Sequence, residues 1–186
     1  MPTVFCGVDP GLTGAIALID GSDLEFHDMP TFQDGKRTRI DPAIITHLMR
    51  DIRDDCEREG KALLVVIEKL QPLPPMGRRT ATGEPDGTLV GHGSIASFSL
   101  GYSFGAWVFT CAALQISYQL VSPQSWKAKL LAGEPKEKDA SRVAAQRFWP
   151  KQTAEPLRRK KDGGRADALW LAEYGRRYMA AASVEF

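Results

Sequence analysis

The 186-residue sequence has no GxxxxGK phosphate loop, no HExxH pair, no CxxC pair and no GxSxG elbow. Those absences remove P-loop nucleotide hydrolysis, zincin chemistry, zinc-finger folding and the α/β-hydrolase nucleophile. Cysteine is scarce. Cys6, Cys56 and Cys111 are scattered and odd in number, so buried reduced thiols are expected rather than a disulfide framework. No stretch approaches the roughly 20 apolar residues of a membrane helix, and no membrane partner is expected. Met1 to Phe5 runs directly into a strand-like pattern without a charged lead, an apolar signal core or an Arg/Ser-rich segment, so a cytoplasmic protein is expected. The three histidines, His27, His47 and His92, share no metal-ligand spacing. With 43% apolar and 25% charged residues, the length suits one domain, 1–186, around one core.

Hydrophobic periodicity supplies the elements. Thr3 to Val8 alternates, with Val4, Cys6 and Val8 on one face and Phe5 and Gly7 on the other, which predicts a strand. Asp9-Pro10-Gly11 is turn chemistry, and strands over Gly14–Ile19 and Leu24–Met29 complete a three-strand antiparallel meander. A loop is expected next. Asp41 then reads as an N-cap and Pro42 as the first helical position, with Ile44, Ile45, Leu48, Met49, Ile52 and Cys56 as the apolar stripe and Gly60 as the stop. Leu63 to Ile67 is a continuous apolar run that suits a central parallel strand, and it ends in Glu68.

Gln71 to Gly93 lacks periodicity and reads as a long loop carrying Arg78 and Arg79, with His92 at its border. Ser94 caps a helix over about Ile95–Leu114, where Gly101 and Gly105 permit close backbone approach in the core or at a dimer seam. Ile116–Val121 is a strand, Pro123 opens a helical segment, and Ala140–Trp149 is a helix stopped by Pro150. Pro156–Gly164 reads as basic and flexible, and a last helix runs from about Arg165 to Ala182. The order βββ–α–β–α–β–α–α implies an α/β fold with a mixed sheet and helices on its faces.

Net charge is only +1, but its distribution is uneven. Met1–Glu68 holds 7 basic and 13 acidic residues, a net of −6, whereas Ser122–Arg165 holds 12 basic and 5 acidic, a net of +7. Such asymmetry points to a polyanion-binding face. Asp9 and Glu68 fall at the carboxyl ends of two strands, the edge where α/β sheets bind ligands. Asp167, in the first turn of the last helix between Ala166 and Ala168, and Asp162 just before it add acids, while Glu173 reads as a surface acid. Carboxylates from two strands and a helix suit Mg²⁺ or Mn²⁺, hard cations that take oxygen ligands.

In order along the chain, several motifs resemble RuvC-like Holliday junction resolvases of the phage and organellar type. Gly7-Val8-Asp9-Pro10-Gly11-Leu12-Thr13-Gly14 resembles their opening strand and Val66-Ile67-Glu68 their second acidic motif. The segment from Ser97 to Gly105 resembles their helix after the DNA-engaging loop, and Val121-Ser122-Pro123 with Trp126-Lys127 a segment common in that branch. Lys161-Asp162-Gly163-Gly164-Arg165-Ala166-Asp167-Ala168-Leu169 resembles their last motif. The resemblance implies an RNase H-like fold with a five-stranded mixed sheet, three antiparallel strands then two parallel. It also implies a homodimer that cuts branched, four-way DNA with two ions per active site, in the cytoplasm of a bacterial or phage-infected cell. Asp9, Glu68 and Asp167 fall on the family's catalytic and metal positions. Bacterial members often carry an acid or His three residues before the last Asp, where this chain has Gly164; other members place the ligand five before, where Asp162 stands. Lys127, Lys136, Lys138, Lys160 and Lys161 are the expected phosphate contacts. Arg78 and Arg79 are expected near the junction centre, with Leu73 or Met76 as a wedge between bases.

Other functions stay open at this stage. Asp9 to Gly14 also resembles the first phosphate motif of actin-type ATPases and sugar kinases, but 186 residues are too few for their two domains. A nuclease of the same fold acting on RNA–DNA hybrids or other branched DNA, and a non-catalytic junction-binding protein, are the remaining alternatives.

Overall fold

A computed structural model of the chain describes residues 1–70, 76–79, 85–90 and 94–179. Strands β1 (Thr3–Asp9), β2 (Ala15–Asp20) and β3 (Asp23–Asp28) are followed by a hairpin, β4 (Thr31–Asp34) and β5 (Arg37–Ile40), and helix α1 (Pro42–Arg58). Then come β6 (Ala62–Glu68), β7 (Met76–Arg79), β8 (Pro85–Val90), α2 (Ser94–Ala113) and β9 (Ser117–Val121). Helices α3 (Pro123–Leu130), α4 (Ala140–Phe148) and α5 (Gly163–Tyr178) follow, matching the three helical segments expected after the last strand.

The main sheet has the order β3-β2-β1-β6-β9. The first three strands pair antiparallel, and β6 runs parallel to both β1 and β9. This is the mixed five-stranded sheet expected from the sequence. Alternation divides its side chains between two cores. Val4, Cys6, Val8, Val65 and Ile67 pack with Ile45, Met49, Trp107 and Cys111 of α1 and α2. Phe5, Leu64 and Val66 pack with Trp126, Ala144, Leu169 and Ala172 of α3, α4 and α5. Residues 9 and 68 have the parity of the second set, so both strand-end acids face the α5 side.

Local chemistry fixes the ends of α1 as expected. Asp41 Oδ1 accepts from the N–H groups of Ala43 and Ile44 at 3.0 and 3.1 Å, Pro42 follows it, and Gly60 adopts φ +66° just past the end. Ile44 departs from the expected stripe. It lies beside the buried row of Ile45, Met49 and Cys56 and is 52% exposed.

Helix α5 crosses β1 with almost no side chain between the backbones. A Cβ on Gly7 would stand 1.9 Å from the Ala168 carbonyl oxygen and 2.5 Å from the Ala172 nitrogen. Further along, a Cβ on Gly175 would stand 2.7 Å from Val66 Cγ2.

Four expectations are corrected. The loop before α1 contains the β4–β5 hairpin, turned at Gly35 with φ +61°. The aperiodic segment 71–93 carries the antiparallel pair β7–β8. Pro156–Gly164 is anchored rather than flexible. Leu157 is fully buried, its carbonyl accepts from Arg142 Nη1 at 2.8 Å and Gln146 Nε2 at 3.0 Å, and Lys160–Asp162 forms a 3-10 turn. Finally, Glu173 is no surface acid. It is fully buried and accepts from Arg176 Nε and Arg177 Nε, each at 2.6 Å, because arginines three and four residues on can fold back over it.

The Gly7 contact generates a stability prediction. Backbone atoms cannot move aside as a flexible side chain can, so Gly7→Ala should lift α5 from β1 and cost about 3 kcal/mol, at the upper end of ordinary overpacking. Urea unfolding monitored by circular dichroism measures it, and an unchanged midpoint would refute the close approach.

Candidate active site

Three acids meet where β1, β6 and α5 come together. Val8 pairs with Ile67 across the parallel ladder, so Asp9 and Glu68 leave the sheet side by side at its carboxyl edge. Helix α5, held down on Gly7, brings Asp167 over the same edge. Behind Asp9 the chain turns tightly: the Gly11 N–H donates to Asp9 Oδ1 at 3.2 Å, and Gly14 N to the Gly11 carbonyl at 2.9 Å. A Cβ on Gly14 would stand 2.0 Å from the Asp9 carbonyl oxygen.

The acids perturb one another. Burial, followed by the neighbouring charge of Glu68, pushes the Asp9 carboxyl up to about 7, with Asp167 adding to the rise and the Gly11 N–H and Lys127 opposing it. Burial also raises Glu68, against a hydrogen bond from Trp126, and raises Asp167, against Ser141 and Lys127. Trp126 Nε1 donates to Glu68 Oε1 at 2.9 Å. Lys127 Nζ stands 3.9 Å from Asp167 Oδ2. Asp167 Oδ1 is buried and has no hydrogen-bond partner among the described residues.

A buried unpartnered carboxylate oxygen beside two more acids is costly unless a cation answers it. The donors are all carboxylate oxygens, which fits Mg²⁺ or Mn²⁺ and disfavours softer metals. Among the described residues, no three His, Cys, Asp or Glu side chains form a ready-made cage. Hard cations of this kind commonly complete their shell with water and substrate phosphate.

Asp162 does not join the cluster. It is buried just before α5, and its carboxylate accepts from Arg159 Nε at 3.1 Å, Arg159 Nη2 at 2.9 Å and the Arg159 backbone N–H at 2.7 Å. Burial pushes its carboxyl up, but these bonds win and hold it below its ordinary value. The expected ligand is a cap of the turn Lys160–Asp162, its oxygens spent on arginine. The alternative ligand position is closed as well. A Cβ on Gly164 would meet the Thr13 carbonyl oxygen at 2.5 Å and Gly14 Cα at 2.9 Å.

Of the expected phosphate contacts, Lys127 has a described contact with the acids. Lys127 is half-exposed on α3, Lys136 and Lys138 are exposed between α3 and α4, and Lys160 and Lys161 are exposed on the turn leading into α5. Arg78, Arg79 and Met76 belong to β7, with their side chains outside the described structure, and Leu73 and His92 lie outside the described residues. Trp126 enters the sequence reading only within the Val121–Lys127 motif, with no role of its own toward Glu68. The available signal is its place one turn into a helix that leaves the strand beside Glu68.

No family model matches the chain. Over 108 residues, 55% of this chain, it is 33% identical to the chloroplastic Holliday junction resolvase MOC1 of Chlamydomonas reinhardtii, and it spans 12% of that protein's length. Among solved structures, RuvC of T. thermophilus in complex with a Holliday junction substrate aligns with TM-score 0.49 and 14% identity, over 94% of this chain and 95% of that one. A second Thermus thermophilus RuvC structure aligns with TM-score 0.46 and 12% identity, over 96% and 98%.

The Asp9 shift has a measurable sign. Between its ordinary value of 3.8 and about 7, the folded protein keeps a proton that the unfolded chain has released. Without metal, Asp9 therefore makes stability fall as pH rises through that window. Asp9→Asn removes this penalty. At pH 8 in EDTA its unfolding midpoint should exceed the wild-type one by several degrees, at roughly 2–4 °C per kcal/mol for this size, and the gap should close towards pH 4. Thermal scans at both pH values check this, and a gap independent of pH would contradict the shift.

Proposed function

We propose that this chain is a divalent-metal-dependent endodeoxyribonuclease that resolves four-way DNA junctions as a homodimer. The observation that carries the proposal is the convergence of Asp9, Glu68 and Asp167 at one sheet edge, with Asp9 raised to about 7 and an Asp167 oxygen without a partner among the described residues. The ordered motifs and the 33% identity to a protein named as a junction resolvase support the choice of substrate.

Asp9, Glu68 and Asp167 would hold Mg²⁺, or Mn²⁺ in its place, with two ions per site on the family pattern. When bound, such ions activate water and stabilise the leaving oxygen of a phosphodiester in hydrolysis. The chain's own contribution is position and charge. Lys127, beside Asp167, offsets the carboxylates and offers an ammonium to the phosphate. Lys136, Lys138, Lys160 and Lys161 extend the contact along the backbone. Arg78 and Arg79 on β7 are assigned to the junction centre.

Helix α2 supports the homodimer. Phe98 is 65% and Phe109 74% exposed, and Gly101 is exposed with nothing within 4 Å of where a Cβ would stand. A groove of about 530 Å³ between α1 and α2 is lined by Pro42, Thr46, Gly101, Tyr102 and Phe109. The exposure of Gly101 favours its role at a dimer seam over one in the core. A two-fold dimer gives each strand of a two-fold junction its own site.

Cleavage of a labelled mobile four-way junction, a linear duplex and an RNA–DNA hybrid tests the function. Paired symmetric nicks should appear on the junction alone, with Mg²⁺ or Mn²⁺ and not with EDTA. Asp9→Asn, Glu68→Gln and Asp167→Asn should each abolish them. Asp162→Asn should keep cutting while losing about 1–2 kcal/mol of stability with its cap. Preferred cutting of the hybrid or duplex would overturn the substrate, and junction binding without cutting would make the chain a structural junction-binder. Phe109→Asp should convert a dimer to monomer in sedimentation velocity, whereas an unchanged dimer would move the interface elsewhere.

A further inference from the structure

The indole of Trp126 sits against the acidic cluster and is fully buried. Its direction is set by the start of α3. Ser122 caps the helix by accepting from Ser125 N at 3.2 Å, Pro123 occupies the first helical position, and Trp126 N donates to the Ser122 carbonyl at 3.3 Å. So placed, the ring belongs to the core formed with α4 and α5, and its single donor reaches Glu68 Oε1 at 2.9 Å. The ring face holds a second group of the site, with Lys127 Nζ 4.9 Å from its centroid and 3.9 Å from Asp167 Oδ2. One side chain thus holds an acid on its edge and a cation over its face. Phenylalanine would keep an aromatic ring in the core, at the cost of a small void, but could not donate.

Glu68 has three rotatable side-chain bonds and ends a strand, and Trp126 is its hydrogen-bond partner among the described residues. A bond to one carboxylate oxygen fixes the plane of the group and leaves the other oxygen free. We propose that Trp126 is a positioning residue, whose indole N–H orients Glu68 for cation binding and whose face steadies Lys127. The proposal rests on the metal-site assignment above and names the residue that prepares it.

The test is Mn²⁺ binding by the intact protein, read as free Mn²⁺ by electron paramagnetic resonance without DNA. Loss of an outer partner of a metal ligand typically weakens affinity 10- to 100-fold. Trp126→Phe should therefore shift the Mn²⁺ midpoint by about tenfold or more. Should that variant not fold, 3-benzothienylalanine placed at position 126 replaces the N–H by sulfur in the same shape and should shift the midpoint equally. Trp149→Phe, in the same core but away from the acids, should leave it unchanged. In wild-type protein, the Trp126 indole N–H resonance should move during a Mg²⁺ titration. Unchanged midpoints in the position-126 variants, or an equal loss in Trp149→Phe, would overturn the proposal. Wild-type protein that takes up no Mn²⁺ would overturn both this proposal and the metal site. The expected Mn²⁺ shifts without junction cutting would uphold Trp126 and overturn only the nuclease.

Discussion

Everything at the sheet edge depends on how close helix α5 comes to β1. At Gly7 the gap is narrower than one methyl group, so helix backbone rests on strand backbone. That contact sets both the height of α5 above the sheet and, through the helical repeat, the position of Asp167 relative to Asp9. The contacts at Gly164 and Gly175 carry the same approach along the helix. Steric exclusion, with no polar interaction of its own, is what brings charge to charge here.

The charges themselves oppose folding. Three carboxylates share a partly buried corner, and among the described residues their answering groups are few: the Gly11 N–H on Asp9, the Trp126 N–H on Glu68, and Ser141 and Lys127 at Asp167. Contrast Glu173 and Asp162, each buried and each fully met by arginine. Acids with a purely structural task have their counter-charges built in. The three at the sheet edge lack them, as suits groups whose counter-charge arrives with a ligand.

Much of this was legible from pattern. Alternation in Thr3–Val8, the unbroken apolar run ending in Glu68, and the Asp41-Pro42 cap each express a local rule that the fold obeys. The misses came where a decision was tertiary. Glu173 looks solvated until α5 is docked and its arginines fold over it. Asp162 has the right spacing for a ligand, but a spacing carries no information about Arg159 taking its oxygens. The hairpin at Gly35 is too short for periodicity to register. Trp126 stands in a motif that the sequence shows, but its part toward Glu68 depends on the direction of its N–H, which follows from Ser122 and the strand beside it.

Gly164 has an evolutionary consequence. Any side chain at that helical position, an added acid included, would run into the backbone of Thr13 and Gly14. No single codon change can add the group, because the turn behind Asp9 and the start of α5 would have to separate first, and that separation would displace Asp9 and Asp167 from each other. The first turn of α5 is therefore closed to a further acid, and any tuning of the corner must come from residues around Asp9, Glu68 and Asp167.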